Sequence, residues 1–139
     1  MREQTIWGIH AGRIGEADSL FLHNNVVALG WHEMGDMSKI PTDRDAFKRE
    51  VAKVYTDAKP GAIPNYTGQL FRFVNEMQPG DLVLYPSKQD RLVHFGRVEG
   101  PYRYDPAQSK EYPNVRAVKW LKTVPRTQFT QGALYELGS

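Results

Sequence analysis

Apolar and polar positions follow two different periods along the chain, and these periods predict its elements. Residues 5–10 place Trp7 and Ile9 on one face of an extended chain, which predicts a first strand. Residues 26–31 form a nearly unbroken apolar run rich in β-branched side chains, which predicts a buried central strand. Between them, residues 17–24 repeat apolar positions at helical spacing, so we expect a short helix there.

Two longer helices follow in the middle of the chain. Thr42, with Asp45 three residues later, resembles a capping box and predicts a helix start. Apolar residues at i, i+4, i+7 and i+8 then continue the helix through residues 47–55. We expect Asn65 to cap a third helix, which ends at Pro79-Gly80 because neither residue continues a helix well.

The second half of the chain is rich in strands. Residues 81–85 and 92–98 are separated by a polar turn and predict an antiparallel hairpin. A further turn is expected around residues 102–104, before a strand over residues 114–124. The last segment, residues 127–137, has weak helical spacing. Helices outside a strand-rich unit indicate an α+β fold.

Composition limits the class of protein. A chain of 139 residues with 40% hydrophobic content is expected to form one ordered domain over residues 1–139. It lacks cysteine, and no apolar run reaches the length of a signal peptide or membrane span, so we predict a soluble cytoplasmic protein. The pattern stops abruptly at the C-terminus, which suggests that the sequence is part of a longer protein.

Charge is distributed unevenly. Residues 1–87 hold 9 Lys and Arg against 11 Asp and Glu, whereas residues 88–139 hold 9 against 5. The basic second half is compatible with a surface that faces phosphates, although a solvated basic face without a partner would show the same pattern.

No motif of a known catalytic or cofactor site is present. The four histidines lack the i, i+4 spacing of a zinc site, so we predict neither a metal nor a cofactor. No nucleophile elbow, Walker sequence or pair of opposed carboxylates is found, so no catalytic residue is predicted. The glycines of residues 8–15, beside Arg13, could approach a phosphate or simply form a turn.

The aromatic residues are the better candidates for ligand contact. Trp7 and Trp31 lie at ends of predicted strands, and an aromatic face can stack on an unpaired base. Each could instead belong to the core. Trp31 is the stronger candidate because polar His32-Glu33 follows it directly, so we expect its ring where the core meets the surface.

Several segments together resemble the PUA-like superfamily, and specifically its EVE and YTH branch. Residues 7–12 resemble the first barrel strand, residues 26–31 the second, and residues 68–85 the EVE signature of helix, Gly80-Asp81 and strand. Residues 94–121 are similar to the strands that follow. More narrowly, the chain resembles the domain found N-terminal to Mrr-type catalytic domains of modification-dependent restriction enzymes. It departs from the EVE pattern at Pro86, where the family tends to have histidine.

The resemblance implies a small twisted β-barrel of about five to six strands with peripheral helices. It also implies a reader domain that recognises a modified base in double-stranded DNA, methylated adenine or cytosine, by base flipping, and targets a linked restriction nuclease. The residues that it assigns to the base pocket are Trp31, His10, Tyr85, Ser87, Asn65 and Trp7, with Tyr85 and Ser87 at its rim. Those that we expect at phosphates are Arg13, Lys88, Arg91, Arg97 and Arg103.

Two other functions remain open from the sequence. One is an ASCH-like, metal-independent RNA nuclease on a similar barrel, using Lys, Arg and Tyr side chains. The other is a module that binds a small molecule or a protein, which predicts binding without a steep dependence on salt.

Overall fold

The computed structural model describes residues 3–128, which form one five-stranded mixed sheet with three α-helices. The sheet order is β1-β3-β4-β5-β2. β1 pairs in parallel with β3, and the other neighbouring strands are antiparallel. The strands are β1 (Ile6–Gly8), β2 (Val26–Leu29), β3 (Leu82–Pro86), β4 (Leu92–Tyr104) and β5 (Asn114–Pro125).

The predicted α+β class is confirmed, but the predicted barrel is not. Within residues 3–128 no ladder joins β1 to β2, so the sheet is open and these two strands are its edges. None of the helices in this range is long and apolar enough to cross a membrane.

β4 and β5 form a long hairpin at the centre of the sheet. The register shifts between Phe95 and Gly96, so the hairpin carries a bulge there. Gly96 is required at this point because a Cβ atom on it would lie 2.9 Å from the Trp120 ring. The turn predicted around residues 102–104 is wrong, since β4 continues to Tyr104, which pairs with Asn114.

The helices are α1 (Asp18–Asn24), α2 (Arg44–Val54) and α3 (Ile63–Phe71). Two predicted caps are corrected. Asp43, not Thr42, caps α2, because its carboxylate accepts the backbone N–H of Asp45 at 3.1 Å. Asn65 lies inside α3, which begins at Ile63. The helical segment predicted over residues 127–137 lies almost entirely outside the described residues.

α3 continues without interruption into a π-helical turn, Arg72–Glu76. Such turns are uncommon and often occur at functional sites, because the extra residue redirects the side chains around it. The turn ends at Met77, whose N–H bonds to the carbonyl of Arg72 at 2.8 Å.

Of the three apolar clusters formed by residues 3–128, the two larger ones lie beneath these elements. The larger one packs α1 against the sheet, including its edge strand β2, through residues that include Phe21, Val27 and Val115. The smaller one, with Phe47 and Leu70, lies between α2 and α3. Each fully buried side chain of this size contributes about 1.5–3 kcal/mol relative to exposure. β1, the end of β2, α3 and the π-helical turn meet between the two cores.

Candidate functional site

A cavity of about 640 Å³ lies where β1, the end of β2, α3 and the π-helical turn meet. This volume is within the range of small-molecule pockets, roughly 300–1,000 Å³. One part of the lining is apolar and the other polar. The apolar residues are Trp7, Ile9, Leu29, Phe73 and Met77, and the polar side chains are His10, Asn65, Gln69 and Arg72.

Trp7 is anchored by a buried carboxylate. Its indole N–H donates to Oδ2 of Asp81 at 2.9 Å, and Asp81 is only 1% exposed. The same oxygen accepts the backbone N–H of Gln78 at 2.9 Å, and Oδ1 accepts that of Thr5 at 3.2 Å. Asp81 therefore connects β1 to the end of the π-helical segment and fixes the orientation of the Trp7 ring.

Phe73 is anchored by a buried arginine. Arg116, on β5, donates from Nη1 to the carbonyl oxygen of Phe73 at 2.8 Å and from Nε to that of Gly100 at 3.1 Å. Burial lowers the pKa of Arg116 to about 10, although the charge of Asp81 acts in the opposite direction. The guanidinium is thus charged at neutral pH, and Asp81 and Arg116 together hold both aromatic residues of the cavity.

Three polar residues of the lining share one helical face. Asn65, Gln69 and Arg72 are spaced i, i+4 and i+7 along α3 and the turn that continues it. Nε2 of Gln69 donates to Oδ1 of Asn65 at 3.0 Å. This bond leaves two side-chain groups for a ligand. The Nδ2 amide of Asn65 can donate, and Oε1 of Gln69 can accept.

The guanidinium of Arg72 lies over Gly68, one helical turn earlier. A Cβ atom on Gly68 would lie 3.0 Å from Nη1 of Arg72, so the glycine leaves room for this head group. Arg72 itself is exposed at the surface, with its charge beside the cavity.

His10 lies next to a basic rim. Desolvation of the ring lowers its pKa, and the positive charge of Lys88 lowers it further, so His10 is neutral at pH 7. A neutral imidazole offers one donor and one acceptor. Nζ of Lys88 donates to the carbonyl oxygen of Arg13 at 2.5 Å, which brings the backbone of Arg13 to the same side.

The described residues of the lining include no carboxylate, so the cavity suits a neutral or anionic ligand. Within residues 3–128 no group of three His, Cys, Asp or Glu side chains is arranged to hold a metal ion.

The structure brings together five of the residues predicted from the sequence. Trp7, His10 and Asn65 line the cavity, while Lys88 and Arg13 lie beside His10. The other predicted residues lie elsewhere.

Trp31 is corrected because its ring packs away from the cavity. The ring centroid is 4.8 Å from that of Tyr66 and 5.4 Å from that of Tyr55, in the smaller core. Its backbone is left-handed, with φ of 52°, which turns the side chain towards α2 and α3. Trp7, and not Trp31, lines the cavity.

Tyr85 and Ser87 are corrected because both are buried rather than at a rim. Their hydroxyl groups donate to Oδ1 of Asp18, at 2.5 and 2.6 Å. Asp18 is the first residue of α1, so these bonds join that helix to β3. Burial and the bond to Asp18 raise the pKa of Tyr85, which stays protonated.

Two of the predicted phosphate contacts are already neutralised. Arg97 forms an ion pair with Glu99 at 3.2 Å, and Arg103 lies 3.6 Å from the carboxylate of Asp105. Arg91 lies in the exposed turn between β3 and β4, with φ of 65°.

Seven lining residues were not predicted as ligand contacts: Gly8, Ile9, Leu29, Gln69, Arg72, Phe73 and Met77. A polar stripe through Asn65, Gln69 and Arg72 on an otherwise apolar helix was visible in the sequence and is the signal that identifies Gln69 and Arg72.

The comparisons with known proteins give one match. A family model described as a domain of unknown function, DUF8426, matches residues 7–137. No curated protein and no solved structure matches the chain.

Proposed function

We propose that this chain, which belongs to the DUF8426 family, is a reader domain that binds a modified base flipped out of double-stranded DNA. The observation that carries the proposal is a cavity of about 640 Å³ with Trp7 and Phe73 in its lining, a carboxamide pair and, among the described residues, no carboxylate.

The aromatic residues account for the energy that flipping requires. Extruding one nucleotide costs a few kcal/mol in lost stacking and pairing. Stacking on an aromatic side chain returns roughly 1–3 kcal/mol per base. Because Asp81 holds the Trp7 ring in place, little further ordering of this side chain is needed when the base enters.

The polar residues account for recognition of the base edge. The Asn65–Gln69 pair presents a donor and an acceptor, which is the pattern that reads adenine through its amino group and a ring nitrogen. Neutral His10 can supply a second donor or acceptor. A methyl group would be buried against apolar residues such as Ile9, Leu29 or Met77, at about 0.8 kcal/mol per carbon.

The cationic side chains account for binding to the phosphate backbone of the DNA. Arg72 is exposed at the cavity, and Lys88 and Arg13 lie at the neighbouring rim. Each phosphate contact of this kind makes affinity more dependent on salt.

The assignment to the PUA-like superfamily, with an EVE-type barrel, is part of this proposal. A closed barrel would require β1 and β2, the edges of the open sheet, to meet. In the same proposal the domain directs a linked Mrr-type nuclease to a modified site.

A binding panel at fixed salt tests the proposal. The ligands are duplexes of one sequence containing N6-methyladenine, 5-methylcytosine or no modification, and the measurement is fluorescence anisotropy. We expect one modified duplex to bind at least about tenfold more tightly than the unmodified duplex. Equal affinity for all three would contradict the reader function.

A second function is favoured by the state of His10. A neutral imidazole beside Lys88 and Arg72 could act as a general base in metal-independent RNA cleavage. Incubation of the protein with RNA in a chelator tests this. Cleavage that is lost in His10→Ala would favour the nuclease over the reader.

A further inference from the structure

Ile14 is an apolar side chain exposed at the tip of a loop. It is 71% exposed, against 52% for Ile6 and 47% for Leu121, the other exposed large hydrophobic residues of the described chain. An isoleucine with this exposure contributes little to the core, and single exposed apolar residues are common, so its meaning depends on the loop that carries it and on the groups around it.

The loop that carries Ile14 is braced. Gly12 and Gly15, with φ of 87° and 82°, form the bends on either side of it. The N–H of Ala17 bonds to the carbonyl of Ala11 at 2.8 Å and closes the loop at its base. The side chain of Ile14 is therefore presented on a fixed support.

Glu16 strengthens this support from inside the loop. Its Oε1 accepts the backbone N–H of Ile14 at 3.0 Å, and its Oε2 accepts the hydroxyl of Tyr112. Tyr112 belongs to the segment before β5, so the loop is attached to the main body of the domain.

The loop also lies beside the cavity. Its Arg13 carbonyl accepts the Nζ donor of Lys88 at 2.5 Å, and Nε2 of Gln89 donates to the carbonyl of Gly15 at 3.3 Å. A Cβ atom on Gly15 would lie 3.2 Å from Cβ of Lys88, so the two loops are in direct contact. His10, four residues before Ile14, lines the cavity itself.

The charges around Ile14 fit a nucleic acid. Arg13 precedes it and is exposed, and Lys88 lies against the same loop. The carboxylate of Glu16 also lies there, but it is occupied by the N–H of Ile14 and the hydroxyl of Tyr112. An apolar tip beside two cations matches a duplex, in which a stack of apolar base faces lies between two phosphate backbones.

We propose that Ile14 is a wedge that enters the base stack of a DNA duplex and fills the space left by the flipped base. The inference rests on the proposed reader function and adds a second contact, outside the cavity. Apolar side chains of this type unstack base steps in proteins that deform DNA. Ile14 thereby stabilises the open stack while the cavity holds the base.

Ile14→Ser tests the wedge, with Leu121→Ser on β5 as the matched control. Dissociation constants are measured by anisotropy for a modified duplex and for the same modified strand without its complement. In the single strand no stacked duplex has to be opened. We expect Ile14→Ser to weaken duplex binding by about tenfold and single-strand binding by less than about twofold. Leu121→Ser should match wild type on both ligands.

The result that overturns the wedge is an Ile14→Ser variant with wild-type affinity for the duplex, or with equal losses on duplex and single strand. Loss of the reader function itself has a different signature. Wild-type protein would then bind modified and unmodified duplexes equally. If wild type discriminates between them and Ile14→Ser binds normally, only the wedge is refuted.

Discussion

The indole nitrogen of Trp7 lies 2.9 Å from Oδ2 of Asp81, a hydrogen bond between residues 74 positions apart in the chain. Asp81 also interacts electrostatically with Arg116, which holds the carbonyl of Phe73. The ring of Trp7 and the backbone of Phe73 are thus held by opposite buried charges.

Trp7→Ala should remove the preference for a modified base. Losing the stacking surface should reduce discrimination between modified and unmodified duplex by about 1–3 kcal/mol. Trp7→Phe keeps a ring but loses the bond to Asp81, so an intermediate loss is expected. Trp31→Phe serves as the control, because Trp31 packs outside the cavity. Equal effects of Trp7→Ala and Trp31→Phe on discrimination would contradict the assignment.

Gly68→Ala should displace the head group of Arg72, because the new Cβ would lie 3.0 Å from Nη1. Alanine is favoured over glycine in a helix by about 1 kcal/mol, so the fold should not be weakened. The binding constant K for duplex should then depend less on salt. We expect the slope of log K against log salt concentration to become smaller in magnitude by about 0.9, the value for one phosphate contact. Gly61→Ala is the control, since nothing lies within 4 Å of its Cβ position. An unchanged slope in Gly68→Ala would argue against Arg72 as a phosphate contact.

The lowered pKa of His10 makes stability depend on pH. Between the lowered folded value and the ordinary value of 6.5, the unfolded chain binds more protons at this residue than the folded chain. The contribution of His10 is fully present above 6.5 and decreases as pH falls through the folded pKa. When the pH is lowered from about 7.5 to about 5.5, the free energy of unfolding should therefore fall less in His10→Gln than in wild type. Urea unfolding at each pH measures both values. Parallel profiles for the two proteins would refute this.

Asp81→Asn should destabilise the fold strongly. The buried carboxylate of Asp81 accepts N–H groups of Thr5, Trp7 and Gln78, whereas an amide has a single acceptor oxygen. Each buried donor left unpaired costs about 1–3 kcal/mol. Glu99→Gln, which removes an exposed ion pair with Arg97, should cost no more than about 1 kcal/mol. Urea unfolding of both variants measures the difference. A loss in Asp81→Asn as small as that in Glu99→Gln would show that Asp81 carries little of the stability.

The strands β2 and β3 could be predicted from sequence because their apolar runs are local and dense. The location of the cavity could not, since it depends on the parallel pairing of β1 with β3 across more than 70 intervening residues. Trp7 and Trp31 have similar local patterns, and only this pairing places Trp7 at the cavity.

Some information in the sequence was available and unused. Arg97 and Glu99, like Arg103 and Asp105, are spaced i, i+2 and share one face of a strand, which predicts their ion pairs. By contrast, the sequence around Tyr85 and Ser87 does not predict that their hydroxyl groups are buried. Their shared partner, Asp18, is almost 70 residues away in the chain.

β1 pairs with β3 at only three positions, Ile6, Trp7 and Gly8. An edge this short can detach by itself, at a free-energy cost well below that of global unfolding. Trp7 detaches with it, so each such event opens the cavity while β3, β4, β5 and β2 stay paired with one another. Occupancy must then lock the edge in place, and amide hydrogen exchange of residues 6–8 should slow on ligand addition more than exchange in the β4–β5 hairpin.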